Sequence, residues 1–206
     1  MARPQSPDYD KRREAILEAA AHLYARRGFQ GASIADLAKA TGTSKSLIYH
    51  YFPSKDDILH ETMAAHLDAL VAAADDATRS GGPEAKLRAL THAFMRLYVG
   101  AEDSHKVLLN ELDNLPAERR AEVVAKQRRI IGSVETLIAE IRPEGPAFPL
   151  TMLFFGMINW THTWFRPEGD VSADMLADMA VDMMLDGITD SQKPRSSRLR
   201  SGRTET

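Results

Sequence analysis

Thr43, Ser44, Lys45, Ser46, Tyr49, His50, Tyr51 and Lys55 crowd into the stretch TGTSKSLIYHYFPSK, residues 41–55. Leu47, Ile48 and Phe52 are the large apolar residues among them. A helix built only to fold has little use for so many hydrogen-bonding side chains around so few apolar ones. Hydroxyls, ammonium groups and an imidazole do suit a nucleic-acid surface. Lys45 and Ser46, at the start of a short helical pattern, can reach base edges in a major groove. Tyr49 can lay its ring against a thymine methyl or turn its hydroxyl to a phosphate. His50, Tyr51 and Lys55, with Ser33 upstream, suit phosphate oxygens, contacts that fix register more than they read sequence.

For these groups to act together, a helix must be held down by its other face. Ile48 and Phe52 are four apart and share that face, while Lys45, Ser46, Tyr49 and His50 occupy the adjacent arc. Upstream, ASIADLAKATG reads as a second short helix. Ser33 is its N-cap, Ile34, Leu37 and Ala38 face inward, and Gly42 supplies a tight turn. The pair has the pattern of a helix-turn-helix. A first helix, KRREAILEAAAHLYARRG, places Ile16, Ala20, Leu23 and Tyr24 on one stripe and is expected to stop at Gly28. Next, SKDDILHETMAAHLDALVAAADDATR opens on Ser54 as N-cap, with Asp56 and Asp57 where the helix dipole favours acids. SGGP at 80–83 breaks it. Five further helices are expected over about 83–101, 104–114, 116–142, 149–166 and 172–189, with Ser172 capping the last.

The expected fold is therefore all-α. A helix-turn-helix domain spans 1–53 and a larger helical body spans 54–190. The tail 191–206, Ser/Arg-rich with almost no apolar residues, is expected to be a disordered basic segment. The 206 residues carry a net charge of −3, unevenly spread. Residues 1–60 hold nine Lys/Arg against seven Asp/Glu, 61–190 twelve against twenty-one, and 191–206 five against one. A mildly basic N-terminus on an acidic body fits a polyanion partner for the first segment. The chain has no cysteine, which removes disulfides, thiolate metal sites and thiol redox sensing. No apolar run approaches the roughly 20 residues that span a bilayer, and the N-terminus lacks the apolar region of a secretory signal. A cytoplasmic protein with no membrane partner is expected. Motifs of nucleophilic hydrolases, phosphate-binding glycine loops and H-E-x-x-H metal sites are absent, so an enzyme, a bound metal or a cofactor is not expected.

In the body, PLTMLFFGMINWTHTWFR is apolar nearly all round and is expected to be buried. Met175, Met179 and Met183 recur at spacing four on the last helix. Asn159, Trp160, Thr163, Trp164 and Arg166 form an unusual aromatic and polar cluster, the mixture that lines ligand pockets.

The segment ILEAAAHLYARRGFQGASIADLAKATGTSKSLIYHYFPSKDDIL resembles the N-terminal domain of the TetR family of transcriptional regulators. Gly28-Phe29, Ser33, Ile34, Ala38, Gly42, Ser44, Tyr49, Phe52 and Ser54-Lys55 carry the likeness. The resemblance implies a three-helix DNA-binding domain on a six-helix ligand-binding and dimerisation bundle. Lys45, Ser46 and Tyr49 then take base-reading positions. Ser33, His50, Tyr51 and Lys55 take phosphate positions, Thr43 and Ser44 lie beside them, and Arg3, Lys11, Arg12 and Arg13 form an arm. It also implies a homodimer whose interface includes the methionine stripe, bound to a palindromic duplex operator as a repressor. The segments LLNELDNLPAERRAEVVAKQRR and GMINWTHTWFRPEGDVSADMLADM are similar to repressors of fatty-acid, steroid and phenylacetate catabolism that sense acyl-coenzyme A thioesters. For such a ligand the tryptophan cluster supplies ring faces, and Arg119, Arg120, Arg128, Arg129 and Arg166 are the available cations. A repressor of an efflux gene that senses cationic or aromatic drugs is the alternative.

Overall fold

The computed structural model describes residues 7–190, so Arg3 and the tail 191–206 lie outside the described residues. Among the described residues every regular element is helical: α1 (Pro7–Gly31), α2 (Ile34–Ala40), α3 (Lys45–Tyr51), α4 (Lys55–Ala77), α5 (Pro83–Gly100), α6 (Glu102–Asn110), α7 (Ala117–Ile141), α8 (Ala147–Asn159) and α9 (Ala173–Asp190). Two short 3-10 turns, Leu112–Asn114 and Trp160–Thr163, follow α6 and α8.

The N-terminal elements are set by local chemistry. Ser33 and Asp36 form a reciprocal capping box: the Asp36 N–H donates to Ser33 Oγ at 3.1 Å, and the Ser33 N–H donates to Asp36 Oδ2 at 3.0 Å. The Ser33 hydroxyl, which donates to Asp36 Oδ2, and then the Ser33 N–H hold the Asp36 carboxyl below its usual range. Ser44 caps α3 by accepting from the Leu47 N–H at 3.1 Å, and Ser54 caps α4 by accepting from the Asp57 N–H at 3.0 Å. Ile16, Ala20, Tyr24, Leu37, Ala38, Ile48 and Phe52 close over one another as a buried core. Gly42 sits in the turn between α2 and α3 with φ 63°, a left-handed geometry that glycine adopts without strain.

Helix α4 is the axis of the molecule, packing against α1, α5, α6 and α7. Helix α5 packs on α9 and α7, and α8 lies between α7 and α9. The core is continuous from α1 through α4 to α8.

Two boundaries depart from the sequence reading, and the one at Gly28 holds. The first helix does break at Gly28, which has φ 72° and ψ 160°, and a short turn carries the chain on to Gly31. The helix expected over 104–114 is divided, because α6 ends at Asn110 and the chain tightens into a 3-10 turn. The helix expected over 149–166 begins at Ala147 and ends at Asn159. Beyond it, Thr161 Oγ1 donates to the Ile158 carbonyl at 2.6 Å, Thr163 Oγ1 donates to the Trp160 carbonyl at 2.8 Å, and His162 Nδ1 lies 2.6 Å from the Asn159 carbonyl. Side chains that capture carbonyls three residues back compete with the α-helical ladder and favour the tighter turn.

Candidate functional site

Helix α3 lies across the outside of the N-terminal unit. Ile48 and Phe52 are sealed inside, whereas Lys45, Ser46, Tyr49 and His50 face solvent. Tyr49 is 52% exposed, a large aromatic ring half open to solvent. His50 and Tyr51 form a small aromatic group with Tyr9 of α1, whose ring is 4.5 Å from that of Tyr51. This contact ties the start of α1 to the end of α3. Lys11 and Arg12 line a groove of about 460 Å³ beside Thr41, Gly42 and Thr43. Arg13 is turned inward, paired with Glu61 at 2.7 Å and stacked over the Phe52 ring.

Two residues expected at phosphates are engaged within the fold. Lys55 donates from Nζ to the Phe29 carbonyl at 2.5 Å and lies over the Phe29 ring. The Ser33 hydroxyl donates to Asp36 Oδ2, a carboxylate that repels a phosphate. Thr43 shares a hydrogen bond with Thr41 at 2.9 Å, and Ser44 serves as a cap. The freely presented set is Lys45, Ser46, Tyr49 and His50.

The N-terminal unit is fastened to the body at the kink in α1. The Phe29 N–H donates to Glu111 Oε2 at 3.2 Å, and Asn114 Nδ2 donates to the same oxygen at 2.7 Å. Gln30 Nε2 donates to Asn114 Oδ1 at 3.0 Å, and His22 Nδ1 meets Asp103 at 2.8 Å. Arg119 of α7 pairs with Asp57 at 2.7 Å. The sequence reading missed Glu111, because its partner lies 82 residues away and no local pattern marks the pair. Between α1, α4 and α6 an open cleft of about 1100 Å³ separates the two units.

The C-terminal half exposes a set of large apolar residues. Phe148, Met152, Leu153, Trp160, Trp164, Val171, Met175, Met179 and Met183 are all exposed, with Leu153 68% and Met183 66% accessible. The helix expected to be buried all round is buried on one side only, through Thr151, Phe154, Phe155 and Ile158. The sequence could not separate core from face, since both are apolar. Trp160 and Trp164 are at the surface, and Arg166 is exposed, donating to the Phe165 carbonyl. Thr163 is engaged with the backbone, and Arg128 lies on the exposed side of α7, on a different helix. The five clustered positions are neighbours at the end of α8, but the two tryptophans do not enclose a cavity. Arg119 and Arg129 are committed to Asp57 and Asp75, and Arg120 to Asp113.

Helix α9 is seated on α5 by a ladder at spacing four on both sides. Arg88 meets Asp178 and Asp182, His92 meets Asp174 at 3.1 Å and Asp178 at 2.9 Å, and Arg96 meets Asp174. Ionised carboxylates only accept, so a histidine bonded through both ring nitrogens is the imidazolium. Partial burial opposes its charge, but the bonds to Asp174 and Asp178 outweigh it and raise the His92 pKa.

A second histidine cluster is buried where α4, α5, α6 and the second 3-10 turn meet. His66 Nε2 and His105 Nδ1 are 3.2 Å apart, and the His105 ring stacks on Tyr98 with centroids at 3.7 Å. Burial depresses the His66 pKa to about 4. Burial, then His66 and His162, depress that of His105 to about 3. Both are neutral imidazoles at neutral pH. His105 Nε2 and Asn159 Oδ1 are buried without a hydrogen-bond partner.

A solvent-facing second helix of a helix-turn-helix, on a helical body with a deep polar cluster and an apolar flank, defines a DNA-binding regulator. Residues 16–62 match the family model for bacterial regulatory proteins of the tetR family, and residues 80–188 match the tetracyclin repressor-like C-terminal domain. The chain belongs to the TetR family of transcriptional regulators, which are not enzymes. It is 27% identical over 210 residues to the HTH-type transcriptional repressor KstR2 of Mycolicibacterium smegmatis, covering 92% of this chain and 97% of the relative. A TetR-family transcriptional regulator from Bordetella parapertussis superposes with a TM-score of 0.82 at 38% identity, covering 86% of this chain and 96% of that one. The structure of AibR in complex with isovaleryl coenzyme A and operator DNA superposes with a TM-score of 0.76 at 26% identity, covering 84% and 97%.

Proposed function

We propose that the protein is a homodimeric repressor that binds a palindromic operator and is released from it by an acyl-coenzyme A thioester. The observation that carries the DNA half is α3 itself: Lys45, Ser46, Tyr49 and His50 are exposed on a helix whose other face is sealed. The domain division follows, with 1–53 reading DNA and 54–190 holding the ligand and the partner. The exposed apolar face of α8 and α9 is the dimer surface, with Met175, Met179 and Met183 at its centre and Trp160 and Trp164 at its edge. Large apolar patches of this kind mark interaction surfaces. Two copies joined there place their α3 helices in successive major grooves, about 34–36 Å apart.

The thioester reading is supported by the likeness to AibR, whose structure holds isovaleryl coenzyme A. Release follows from differential affinity: a ligand that binds better to a form with splayed α3 helices lowers operator affinity by the same free energy. The joint at Phe29, Glu111 and Asn114 carries a movement of α6 to α1. Such a protein works in the cytoplasm, and no helix among the described residues is long and apolar enough to cross a membrane.

The test is a thermal-shift screen of acyl-coenzyme A thioesters, free acids, free coenzyme A and cationic drugs. Ligand at a hundredfold over Kd stabilises by about 2.7 kcal/mol. A shift with thioesters supports the reading. A shift with drugs alone replaces it by a drug-sensing repressor.

A further inference from the structure

Tyr9 lies outside the buried core, yet two residues of α3 hold its ring. That ring is 4.5 Å from the Tyr51 ring at a tilt of 36°, and 6.4 Å from the His50 ring, edge-on at 82°. His50 and Tyr51 meet each other edge-on at 5.6 Å, so the three rings close a triangle. Tyr9, Arg13, Ile16 and Ala20 share one face of α1. Ile16 and Ala20 are buried, and Arg13 lies over the Phe52 ring at 5.2 Å and pairs with Glu61. Tyr9 extends that stripe past the core to the last turn of α3, where Tyr51 packs against the core from its edge.

The triangle matters because of what is left for a phosphate at this end of α3. Lys55 is bonded to the Phe29 carbonyl and Ser33 to Asp36, so His50 and Tyr51 remain. No hydrogen bond among the described residues engages the Tyr51 hydroxyl. A hydroxyl on a half-buried ring can donate outward to a phosphate oxygen. Tyr51 is the last residue of a seven-residue helix, and so short a helix does not hold its own end. Freezing a mobile side chain on binding lowers affinity about two- to tenfold. A ring already stacked in the free protein escapes that loss.

We propose that Tyr9 is a positioning residue for operator binding: its ring fixes the Tyr51 ring so that the Tyr51 hydroxyl donates to a phosphate oxygen of the duplex. This rests on the reading of α3 as the recognition helix and assigns a role to a residue that does not itself touch DNA. Contacts to phosphate carry no base information, so Tyr9 sets affinity and register and leaves the selected sequence unchanged. The ring face of Tyr9 does the holding, and its own hydroxyl is not needed.

The experiment titrates the full chain against a duplex enriched from a random pool, by fluorescence anisotropy, with a thermal melt of each variant. Tyr51→Phe removes one oxygen and keeps the ring. It is expected to lose about tenfold or more in affinity, the scale of a hydrogen bond to a charged oxygen. Tyr9→Ala is expected to lose about fivefold or more, because the proposed dimer must then order the Tyr51 side chain twice. Tyr9→Phe, which keeps the ring pair, stays within about twofold of the unaltered chain. In the Tyr51→Phe background Tyr9→Ala lowers affinity by no more than about twofold, the coupling that marks action through the Tyr51 hydroxyl. Tyr9→Leu, with apolar cover but no ring face, behaves as Tyr9→Ala and takes its place if the alanine variant does not fold. The proposal is overturned if Tyr51→Phe or Tyr9→Leu binds as tightly as the unaltered chain, or if Tyr9→Phe loses as much as Tyr9→Ala. It is also overturned if Tyr9→Ala loses as much in the Tyr51→Phe background as alone, the result of a merely structural role. A chain that enriches no duplex overturns the recognition-helix reading and the proposal with it. A sequence-selective affinity that ignores Tyr9 overturns the proposal alone.

Discussion

Ile48 and Tyr49 are adjacent in sequence and opposite in role, so substituting each separates stability from recognition. Ile48 has no exposed surface, and its side chain joins α3 to the core beneath it. Ile48→Ala removes buried methyl groups and leaves a cavity, a change that costs about 2–5 kcal/mol. For a chain of this size each kcal/mol lowers Tm by roughly 2–4 °C, so a fall of about 4–20 °C is expected. Tyr49 is half-exposed and makes no hydrogen bond within the fold, so Tyr49→Ala changes stability by no more than about 0.5 kcal/mol. Its effect falls on DNA. A contact of this type is worth about 1–3 kcal/mol, and the proposed dimer makes it twice, giving a loss of about 30-fold to about 20,000-fold. Circular dichroism melts and fluorescence anisotropy with a selected duplex measure the two quantities on the same preparations. Unchanged DNA affinity in folded Tyr49→Ala would move the recognition surface away from α3. A Tm loss above about 5 °C in that variant would mean that the ring is a packing residue.

Four further outcomes are expected. The His92 pKa is raised above its ordinary 6.5, so the stability it contributes is fully present below pH 6.5 and is lost as pH rises through the raised value. His66 and His105, with depressed values, are neutral in the folded chain there and lose their last protons in the unfolded chain as pH rises, which can only raise Tm, so the fall in Tm between pH 6.5 and 8.5 should disappear in His92→Leu; an unchanged slope would refute the assignment. Asp174 and Asp178, whose values are lowered by His92 and then by Arg96 and Arg88, lose their contribution only in stronger acid, below the ordinary carboxylate value. Met179→Asp places a charge on the exposed face of α9 and should convert a dimer into a folded monomer by sedimentation velocity; an unaltered dimer would move the interface elsewhere. Gly28→Ala forces a Cβ into φ 72°, a strain of about 1–2 kcal/mol, and should lower Tm by about 2–8 °C in the melts above.

The fold of the N-terminal unit was legible because its determinants are local. Ser33 and Ser44 as caps, Gly42 in the turn, and the four-residue spacing of Ile48 and Phe52 can all be read within twenty residues of chain. What escaped depends on distant partners. Lys55 has the look of a phosphate ligand in sequence, but the chain folds so that its nearest acceptor is the Phe29 carbonyl. The end of α8 looked continuous because threonine and histidine weaken a helix little on propensity alone. It is their hydrogen bonds to Ile158, Asn159 and Trp160 that turn it. The ladder between α5 and α9 did carry a signal, Arg88, His92 and Arg96 at spacing four against Asp174, Asp178 and Asp182. The buried set of His66, Tyr98 and His105, with the half-buried His162, carried none, since four helical segments must assemble before the cluster exists.

The central claim is that α3 reads a duplex as part of a dimer. The most direct measurement is selection from a random duplex pool, followed by anisotropy titration of the enriched sequence at several salt concentrations. The account predicts an inverted repeat with half-site centres about one helical turn apart, and an affinity that falls steeply with salt as phosphate contacts release counterions. No enriched sequence, or an affinity indifferent to salt, would contradict it.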